Sequence, residues 1–183
     1  MTPIETVVEG IIGRVQKEFE RLAEDLSKMG DDKVANNFRK SGYSIFYSNP
    51  LDTLLEGEFY FLGLNPGGSP DENYERETLT DFRTRPKWNA FVNDNWSHKG
   101  RTYRDGQAPL QKRVCDILEA AQNSIGANRD PGRVFATNLY FFRSQDQVTL
   151  TRYGIKQVDC WDFHEEFLNR VKPKVVLCNG NSE

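Results

Sequence analysis

Phe59-Tyr60-Phe61-Leu62-Gly63-Leu64, which runs directly into Asn65-Pro66-Gly67-Gly68-Ser69-Pro70, is the stretch that decides the fold. A compact run of apolar and aromatic residues is typical of a strand buried on both faces of a parallel sheet. The loop that follows has two interpretations. Proline presets one backbone dihedral and glycine permits positive φ, so the loop suits a tight turn. Its place at the end of a strand suits a binding site equally well.

The rest of the chain alternates between helical and extended patterns. Apolar residues at three- and four-residue spacing predict helices, and short apolar runs that end at Gly, Pro or Asn predict strands. The predicted elements are helices over 3–29, 33–40, 110–125 and 158–171, an extended piece over 43–47, and strands over 59–64, 133–141 and 175–178. Strands separated by helices predict an α/β fold: a three-layer sandwich with a central, mainly parallel sheet flanked by helices.

We expect one domain over residues 1–183, with an N-terminal helical extension over about 1–42. Thr2, Pro3 and Glu5 have the pattern of a capped helix start, and Gly30 can end that helix. No repeat, low-complexity tract or linker divides the chain.

Composition excludes several classes of protein. The chain has 24 Lys and Arg against 27 Asp and Glu, a formal charge of −3, and 37% of its residues are hydrophobic, which is enough for a core and too much for a disordered chain. No apolar run approaches the ~20 residues that a membrane helix needs. The three cysteines form no paired motif, so neither a disulfide framework nor a zinc or iron–sulfur site is indicated. We expect a cytoplasmic protein with no metal or organic cofactor.

Asparagines mark the ends of the predicted strands. Asn65 follows the first strand, Asn138 lies late in the second, and Asn179 and Asn181 flank the end of the third. Asparagine is a poor strand former, and ligands of open parallel sheets bind beyond the carboxyl ends of the strands. The Gly67-Gly68 loop matches neither of the common glycine-rich phosphate-binding motifs. A nucleotide-binding protein is therefore the weakest interpretation.

Two of these segments resemble a known family. Gly63-Leu64-Asn65-Pro66-Gly67 is similar to the first active-site motif of the uracil-DNA glycosylase superfamily, in the branches whose motif runs Gly, apolar, Asn, Pro, Gly. Val134-Phe135-Ala136-Thr137-Asn138-Leu139 resembles the family's strand that ends in the asparagine reading the base. The order and spacing of the two motifs also match, and the resemblance covers roughly residue 59 to the C-terminus.

The resemblance implies an enzyme that hydrolyses the N-glycosidic bond of uracil or a related damaged base, with DNA as its partner. Asn138 would read the flipped base, presenting its carbonyl to N3–H and its amide to O4. Asn65 would be the catalytic residue that orients the attacking water, while backbone N–H groups of residues 65–68 stabilise the departing base. Phe82 would stack on the base, with Tyr74 and Trp88 as alternatives. The implied substrate-binding residues are Gly63, Leu64, Pro66, Gly67, Gly68, Phe82 and Asn138.

A cationic segment over residues 83–104 predicts the nucleic-acid surface. Its cations outnumber Asp94, its only acidic residue, and aromatic residues lie among them, as on a surface that contacts phosphates and stacks on bases. A solvated loop is the alternative. The predicted phosphate-binding residues are Arg83, Arg85, Lys87, Lys99, Arg101 and Arg104. Near the first loop we expect a solvated acidic face, or one side chain that holds a water, among Asp71, Glu72, Glu75 and Glu77.

The resemblance also has a gap. The family's third motif, often His-Pro-Ser, follows the strand over 175–178, and neither His98 nor His164 occupies that position. We expect His164, with Glu165 and Glu166 beside it, on the surface. A fourth strand and a final helix are also missing, so we expect the domain to be C-terminally incomplete. The alternative function is a catalytically reduced nucleic-acid-binding module of the same fold.

Overall fold

A computed structural model describes residues 1–67, 74, 76–98, 100–126, 130, 133–144, 147–155 and 158–180, with the backbone alone at 98, 147, 158 and 159. Several residues singled out in the sequence lie outside the described ranges: Gly68, Asp71, Glu72, Glu75, Lys99 and Asn181.

Helices and strands alternate along the chain much as their patterns predict. The elements are α1 (Pro3–Lys28), α2 (Asp32–Ser41), α3 (Pro50–Thr53), β1 (Phe59–Gly63), α4 (Leu79–Thr84), α5 (Ala90–Asn93), β2 (Trp96–His98), β3 (Arg101–Tyr103), α6 (Pro109–Ile125), β4 (Phe135–Asn138), α7 (Gln147–Arg152), α8 (Val158–Val171) and β5 (Val175–Asn179). The short helices α3, α4, α5 and α7 and the β2–β3 pair have no counterpart in the predicted elements.

The central sheet consists of three parallel strands in the order β4-β1-β5. β1 is the middle strand, as its apolar residues on both faces predict, because a central strand is covered by helices above and below. Strands β2 and β3 form a separate antiparallel pair. The predicted α/β fold with a parallel sheet flanked by helices is therefore confirmed.

Alternate residues of β1 enter two different apolar cores, one on each face of the sheet. Tyr60 packs with Phe135 and the α8 residue Phe167 in the larger core, which also contains the buried stripe of α1. Phe59 and Phe61 enter the smaller core, which is formed largely by α5 and α6. The sheet therefore lies between two helical layers, although β5 exposes Val176 and Cys178 on one face.

Helix α1 packs on the domain along most of its length. Thr2 and Glu5 form the predicted capping box, and the helix buries one apolar stripe. Phe19 on this stripe stacks with Phe38 of α2 at a centroid distance of 4.6 Å and lies 6.1 Å from Phe142. The residues predicted as an extension thus supply part of the larger core. No helix within the described ranges is long and apolar enough to cross a membrane.

Strand β4 is shorter than the predicted strand over 133–141, although the chain stays beside β1 after Asn138. Its continuation follows the loop after β1, with Leu139 donating its N–H to Gly63 O at 2.8 Å and Tyr140 donating to Leu64 O at 3.0 Å. The extended piece over 43–47 lies along the other edge of β4, where Phe46 forms a single antiparallel bridge with Thr137. Both edges of β4 are thereby held in place near its carboxyl end.

His164 is buried, with 1% of its surface exposed, so the expected surface position is wrong. It lies on the buried face of α8, where its Nε2 is 3.0 Å from Leu139 O and its Nδ1 is 2.8 Å from the Tyr60 hydroxyl. A carbonyl only accepts, so Nε2 carries the proton and Nδ1 accepts from Tyr60. Burial lowers the pKa of His164. The neutral ring therefore ties α8 to β1 and to the residue after Asn138.

We predict that the free energy of unfolding falls in acid through His164. His164 in the unfolded chain binds a proton near its ordinary pKa of 6.5, whereas in the folded protein its pKa is lower. The contribution of His164 to the free energy of unfolding is therefore fully present above pH 6.5. It is lost as the pH falls through the lowered folded pKa. His164→Gln keeps one donor and one acceptor but does not titrate. Denaturant unfolding between about pH 5 and 8 should give a flatter stability curve for this variant than for the wild type. Parallel curves would contradict the assignment.

Candidate active site at the strand ends

The carboxyl ends of the three parallel strands bring two of the predicted asparagines into one row. Gly63 is in register with Asn138 on one side and with Asn179 on the other. Side chains in register on neighbouring parallel strands point to the same face, and alternation from Phe61 and Ala136 puts this row on the face covered by α5 and α6. Two carboxamides therefore flank a residue that has no side chain.

Asn138 leans across Gly63. A Cβ atom at Gly63 would overlap the Asn138 Oδ1, so only glycine leaves room for this amide. Asn138 is 4% exposed, yet its buried Nδ2 has no hydrogen-bond partner among the described residues. An unsatisfied buried amide costs about 1–3 kcal/mol, and such groups need an explanation, for which a ligand is one candidate.

The Asn65 amide has a defined orientation. Its Nδ2 lies 3.0 Å from Ser144 Oγ, 3.2 Å from Ser144 O and 3.1 Å from Pro66 O. Two of these atoms are carbonyl oxygens that can only accept, so the NH₂ group must face them and Oδ1 points away. Oδ1 accepts no hydrogen bond from the described part of the chain, which leaves it able to hold a water. Asn65 and Asn138 belong to neighbouring strand ends at the same edge of the sheet.

Arg143 braces the loop that carries Asn65. Its Nη1 donates to Gly67 O at 2.9 Å, and its guanidinium lies 4.3 Å from the centre of the Tyr74 ring. Its neighbour Ser144 donates its backbone N–H to Pro66 O at 3.2 Å. The segment after β4 thus fixes the loop through backbone and side-chain contacts. No local pattern in the sequence indicates this role, because the contacts join segments that are far apart in the chain.

Tyr47 is a second residue that the sequence analysis missed. It donates its backbone N–H to Ala136 O at 2.8 Å, and its ring lies 5.7 Å from Phe91 and 6.4 Å from Trp96. Burial raises the pKa of the Tyr47 phenol, and the adjacent Asn138 amide partly opposes that rise. The contact between the two groups falls short of normal hydrogen-bond geometry, since Asn138 Nδ2 remains unpartnered. A half-buried phenol therefore borders the Asn138 amide.

Glu77 does not belong to a solvated face. Its carboxylate accepts from the Ser44 hydroxyl at 2.6 Å and from the backbone N–H groups of Ile45, at 3.1 Å, and Phe46, at 3.4 Å. Burial raises the pKa of this carboxyl to about 7, although these hydrogen bonds oppose the rise. Glu77 therefore holds the extended piece that leads into Tyr47. Its oxygens are engaged by that backbone, so holding a catalytic water is not its main role.

The environment of Phe82 does not support the expected base-stacking role. The ring is 3% exposed and packs edge-on against Phe46 at 5.5 Å and at a tilt against Trp88 at 6.2 Å. It fills the larger core because the apolar face of α4 packs inward. Trp88, one of the two alternatives, is also covered on one face, because the Arg85 guanidinium lies 4.1 Å from the centre of its ring. Tyr74, the other alternative, is covered on one side by Arg143.

The cations of residues 83–104 fall into two groups. Arg83 and Arg85 form ion pairs at 2.7 Å, with Glu5 and Asp94 respectively. Arg101 and Arg104 are exposed and form no ion pair within the described ranges, and Arg101 lies 4.9 Å over the Tyr103 ring. Lys87 is exposed and donates its backbone N–H to Asp52 at 2.7 Å. The free positive charge is therefore concentrated on β3 and just after it.

An open groove of about 650 Å³ lies beside this second group, away from the asparagine row. It is lined by Asn95, Arg104, Asp105 and Gln107. Its walls carry polar side chains, one of them positive and one negative, so the groove suits a small apolar ligand poorly. Within the described ranges no three His, Cys, Asp or Glu residues lie close enough together to hold a metal ion.

The strand-end site is thus small, polar and placed between two apolar layers, with Asn65, Asn138 and Tyr47 as its chemically useful side chains. No protein-family model, curated protein or solved structure matches this chain. Its function is therefore inferred from the chemistry of these side chains.

We predict that Gly63→Ala displaces the Asn138 amide. The added methyl group overlaps Oδ1, and such overpacking costs about 1–3 kcal/mol of folding stability. Gly67→Ala is the matched control, because a Cβ there meets no described atom within 4 Å. Urea unfolding should show a large loss for the first variant and a small one for the second. Equal losses would mean that the close approach of Gly63 and Asn138 is absent in solution.

Proposed function

We propose that this protein is a DNA glycosylase of the uracil-DNA glycosylase type, which hydrolyses the N-glycosidic bond of uracil or a related damaged base. The observation that carries the proposal is the buried Asn138 amide, whose Nδ2 lacks a partner at the mouth of the strand-end site. A flipped base would supply the missing acceptor. The first motif, at Gly63 to Gly67, lies beside it on the neighbouring strand.

Base recognition follows from the chemistry of an amide. Asn138 offers one donor and one acceptor side by side, which complements the O4 and N3–H of uracil. Cytosine presents the reverse pattern and would leave buried polar groups unpaired, a mismatch that discriminates strongly between substrates. Gly63 makes this possible by keeping the space over the end of β1 open to the amide.

Bond cleavage would depend on positioning and electrostatics. The free Oδ1 of Asn65 would orient the water that attacks C1′, while Ser144 holds the NH₂ group of the same side chain. An amide is not a strong base, so the glycosidic bond would break before the water is activated. Backbone N–H groups of the loop that starts at Asn65 would stabilise the negative charge on the departing base. We expect modest turnover.

DNA would be held by the exposed cations of β3 and the following turn. Arg101 and Arg104 carry free charge, and Tyr103 offers a ring among them. The chain as a whole has a charge of −3, so we expect weak, salt-sensitive binding. We also propose a cytoplasmic location, which suits three cysteines that form no disulfide.

The enzymatic proposal predicts release of uracil from uracil-containing single-stranded or duplex oligonucleotides, detected as alkali-labile sites. Asn65→Ala should slow this release about 100-fold or more, because the water loses its positioning group. Asn138→Asp should lose the preference for uracil over cytosine, because a carboxylate cannot donate to O4. Asn36→Ala, on the exposed face of α2, is the control and should behave as the wild type. Equal release by the wild type and Asn65→Ala would reject the catalytic role.

The second candidate is a nucleic-acid-binding module that reads the base without cutting. The engagement of Asn65 Nδ2 by Ser144 and Pro66 favours it, since a rigidly held amide can be structural. Binding of a uracil oligonucleotide without release, unchanged by Asn65→Ala, would support this candidate over the enzyme.

Either candidate predicts a salt-dependent surface at β3. Replacing Arg101 and Arg104 together by Gln removes up to two phosphate contacts, which should flatten the slope of log K against log salt by about 1.4 for single strands and 1.8 for a duplex. Lys112→Gln with Arg113→Gln removes the same charge from the exposed side of α6. This control pair should leave the slope unchanged. Equal effects of the two pairs would remove β3 from the interface.

A further inference from the structure

We propose that Tyr47 is a specificity-determining residue, whose hydroxyl and the Asn138 Nδ2 together donate to an exocyclic carbonyl oxygen of the bound base. The inference rests on the proposed function and deepens it, because it defines the substrate class as bases that carry a carbonyl beside a ring N–H. Deaminated bases such as uracil and hypoxanthine have this edge, whereas cytosine and adenine carry an amino group there.

Two contacts place Tyr47 at the Asn138 amide. Its backbone is hydrogen-bonded to Ala136, two residues before Asn138 on β4. Alternate residues of a strand share a face, so Ala136 and Asn138 point to the same side of the sheet. The Tyr47 ring occupies that side, because it packs on Phe91 and Trp96 in the smaller core. Its hydroxyl therefore extends toward the carboxyl end of β4, where the Asn138 amide lies.

Within the described ranges the Tyr47 hydroxyl forms no hydrogen bond that would account for it. Tyr60 provides the contrast, since its hydroxyl is bound to His164 at 2.8 Å inside the larger core. The Asn138 amide borders the Tyr47 phenol, and its Nδ2 has no hydrogen-bond partner among the described residues. The Tyr47 O–H and the Asn138 NH₂ group are therefore neighbouring donors that form no hydrogen bond with each other. One acceptor on a ligand could bind both of them.

Donor pairing explains the choice of carbonyl over amino group. The Asn138 Nδ2 has no hydrogen-bond partner among the described residues, so its NH₂ group and the Tyr47 O–H are both available to donate to a ligand. A carbonyl oxygen has two lone pairs and accepts from both donors. An amino group would place its own N–H bonds against them and leave buried donors unpaired. Tyr47 thus reinforces the discrimination that Asn138 makes alone.

The test compares binding of oligonucleotides that carry 2′-fluoro-2′-deoxyuridine, which resists hydrolysis, or its 4-thio analogue, whose sulfur is a poor acceptor. Tyr47→Phe keeps the ring packing and removes only the hydroxyl. The preference for oxygen over sulfur should fall about 5-fold in this variant, the effect of one neutral hydrogen bond. Tyr153→Phe, in the larger core against Phe38, is the matched control and should retain the wild-type preference. Comparing the ratio of oxygen to sulfur affinities between proteins cancels the intrinsic difference in affinity between the two bases.

The outcomes separate the inference from the proposed function. A wild type that binds the uracil oligonucleotide no better than a cytosine-containing control would overturn both. A wild type that prefers uracil, with the same oxygen-to-sulfur preference in Tyr47→Phe, would overturn the role of Tyr47 alone. A lower preference in Tyr47→Phe together with an unchanged one in Tyr153→Phe supports the inference. Circular dichroism melting of each variant checks that the fold is intact.

Discussion

The close approach of Asn138 to Gly63 is the contact on which the site depends. Parallel pairing of β1 and β4 sets the two residues side by side, and the missing side chain of Gly63 lets the amide lie across the end of the central strand. Helices cover both faces of the sheet, so this amide is buried where water cannot easily satisfy it. The fold therefore tolerates an unpaired polar group at one defined place, which is typical of a binding site.

The surrounding hydrogen bonds hold β4 rigidly enough to maintain that group. On one side, Thr137 donates its hydroxyl to Ile45 O at 2.6 Å and Ala136 donates its N–H to Ser48 Oγ at 2.9 Å. On the other, Leu139 is bonded through its N–H to Gly63 and through its carbonyl to His164. Both flanks of Asn138 are thus fixed by residues distant in the chain. A reading group held on a strand end is positioned more accurately than one on a free loop.

The sequence predicts those parts of the fold that show a local hydrophobic periodicity or a helix-capping motif. The capping box at Thr2 and Glu5 and the apolar stripe of α1 are visible within a few turns of helix. β1 is equally visible as an apolar run. The row formed by Gly63 and the asparagines of β4 and β5 follows once the sheet is known to be parallel, because its carboxyl ends meet at one edge.

The parts that the sequence does not predict depend on contacts between distant segments. Tyr47 lies in an extended piece whose sequence has no periodicity. A bridge between Phe46 and Thr137 of β4 and hydrogen bonds to the Glu77 carboxylate hold this piece in place. The Arg83–Glu5 ion pair joins residues 78 positions apart. His164 did carry a local signal, since it stands at helical spacing with the buried residues Cys160 and Phe167, but the charged neighbours obscured it.

The most direct measurement of the central claim is the side-chain amide signal of Asn138 in a ¹⁵N-correlated NMR spectrum, assigned by its loss in an Asn138 variant. Addition of a non-hydrolysable uracil oligonucleotide should shift this NH₂ signal strongly, because Nδ2 gains an acceptor that it lacks in the free protein. A cytosine-containing oligonucleotide of the same sequence should shift it little, because cytosine carries an amino group where uracil has O4. An unmoved Asn138 signal, with changes confined to the cationic surface, would contradict the assignment of the strand ends as the base-reading site.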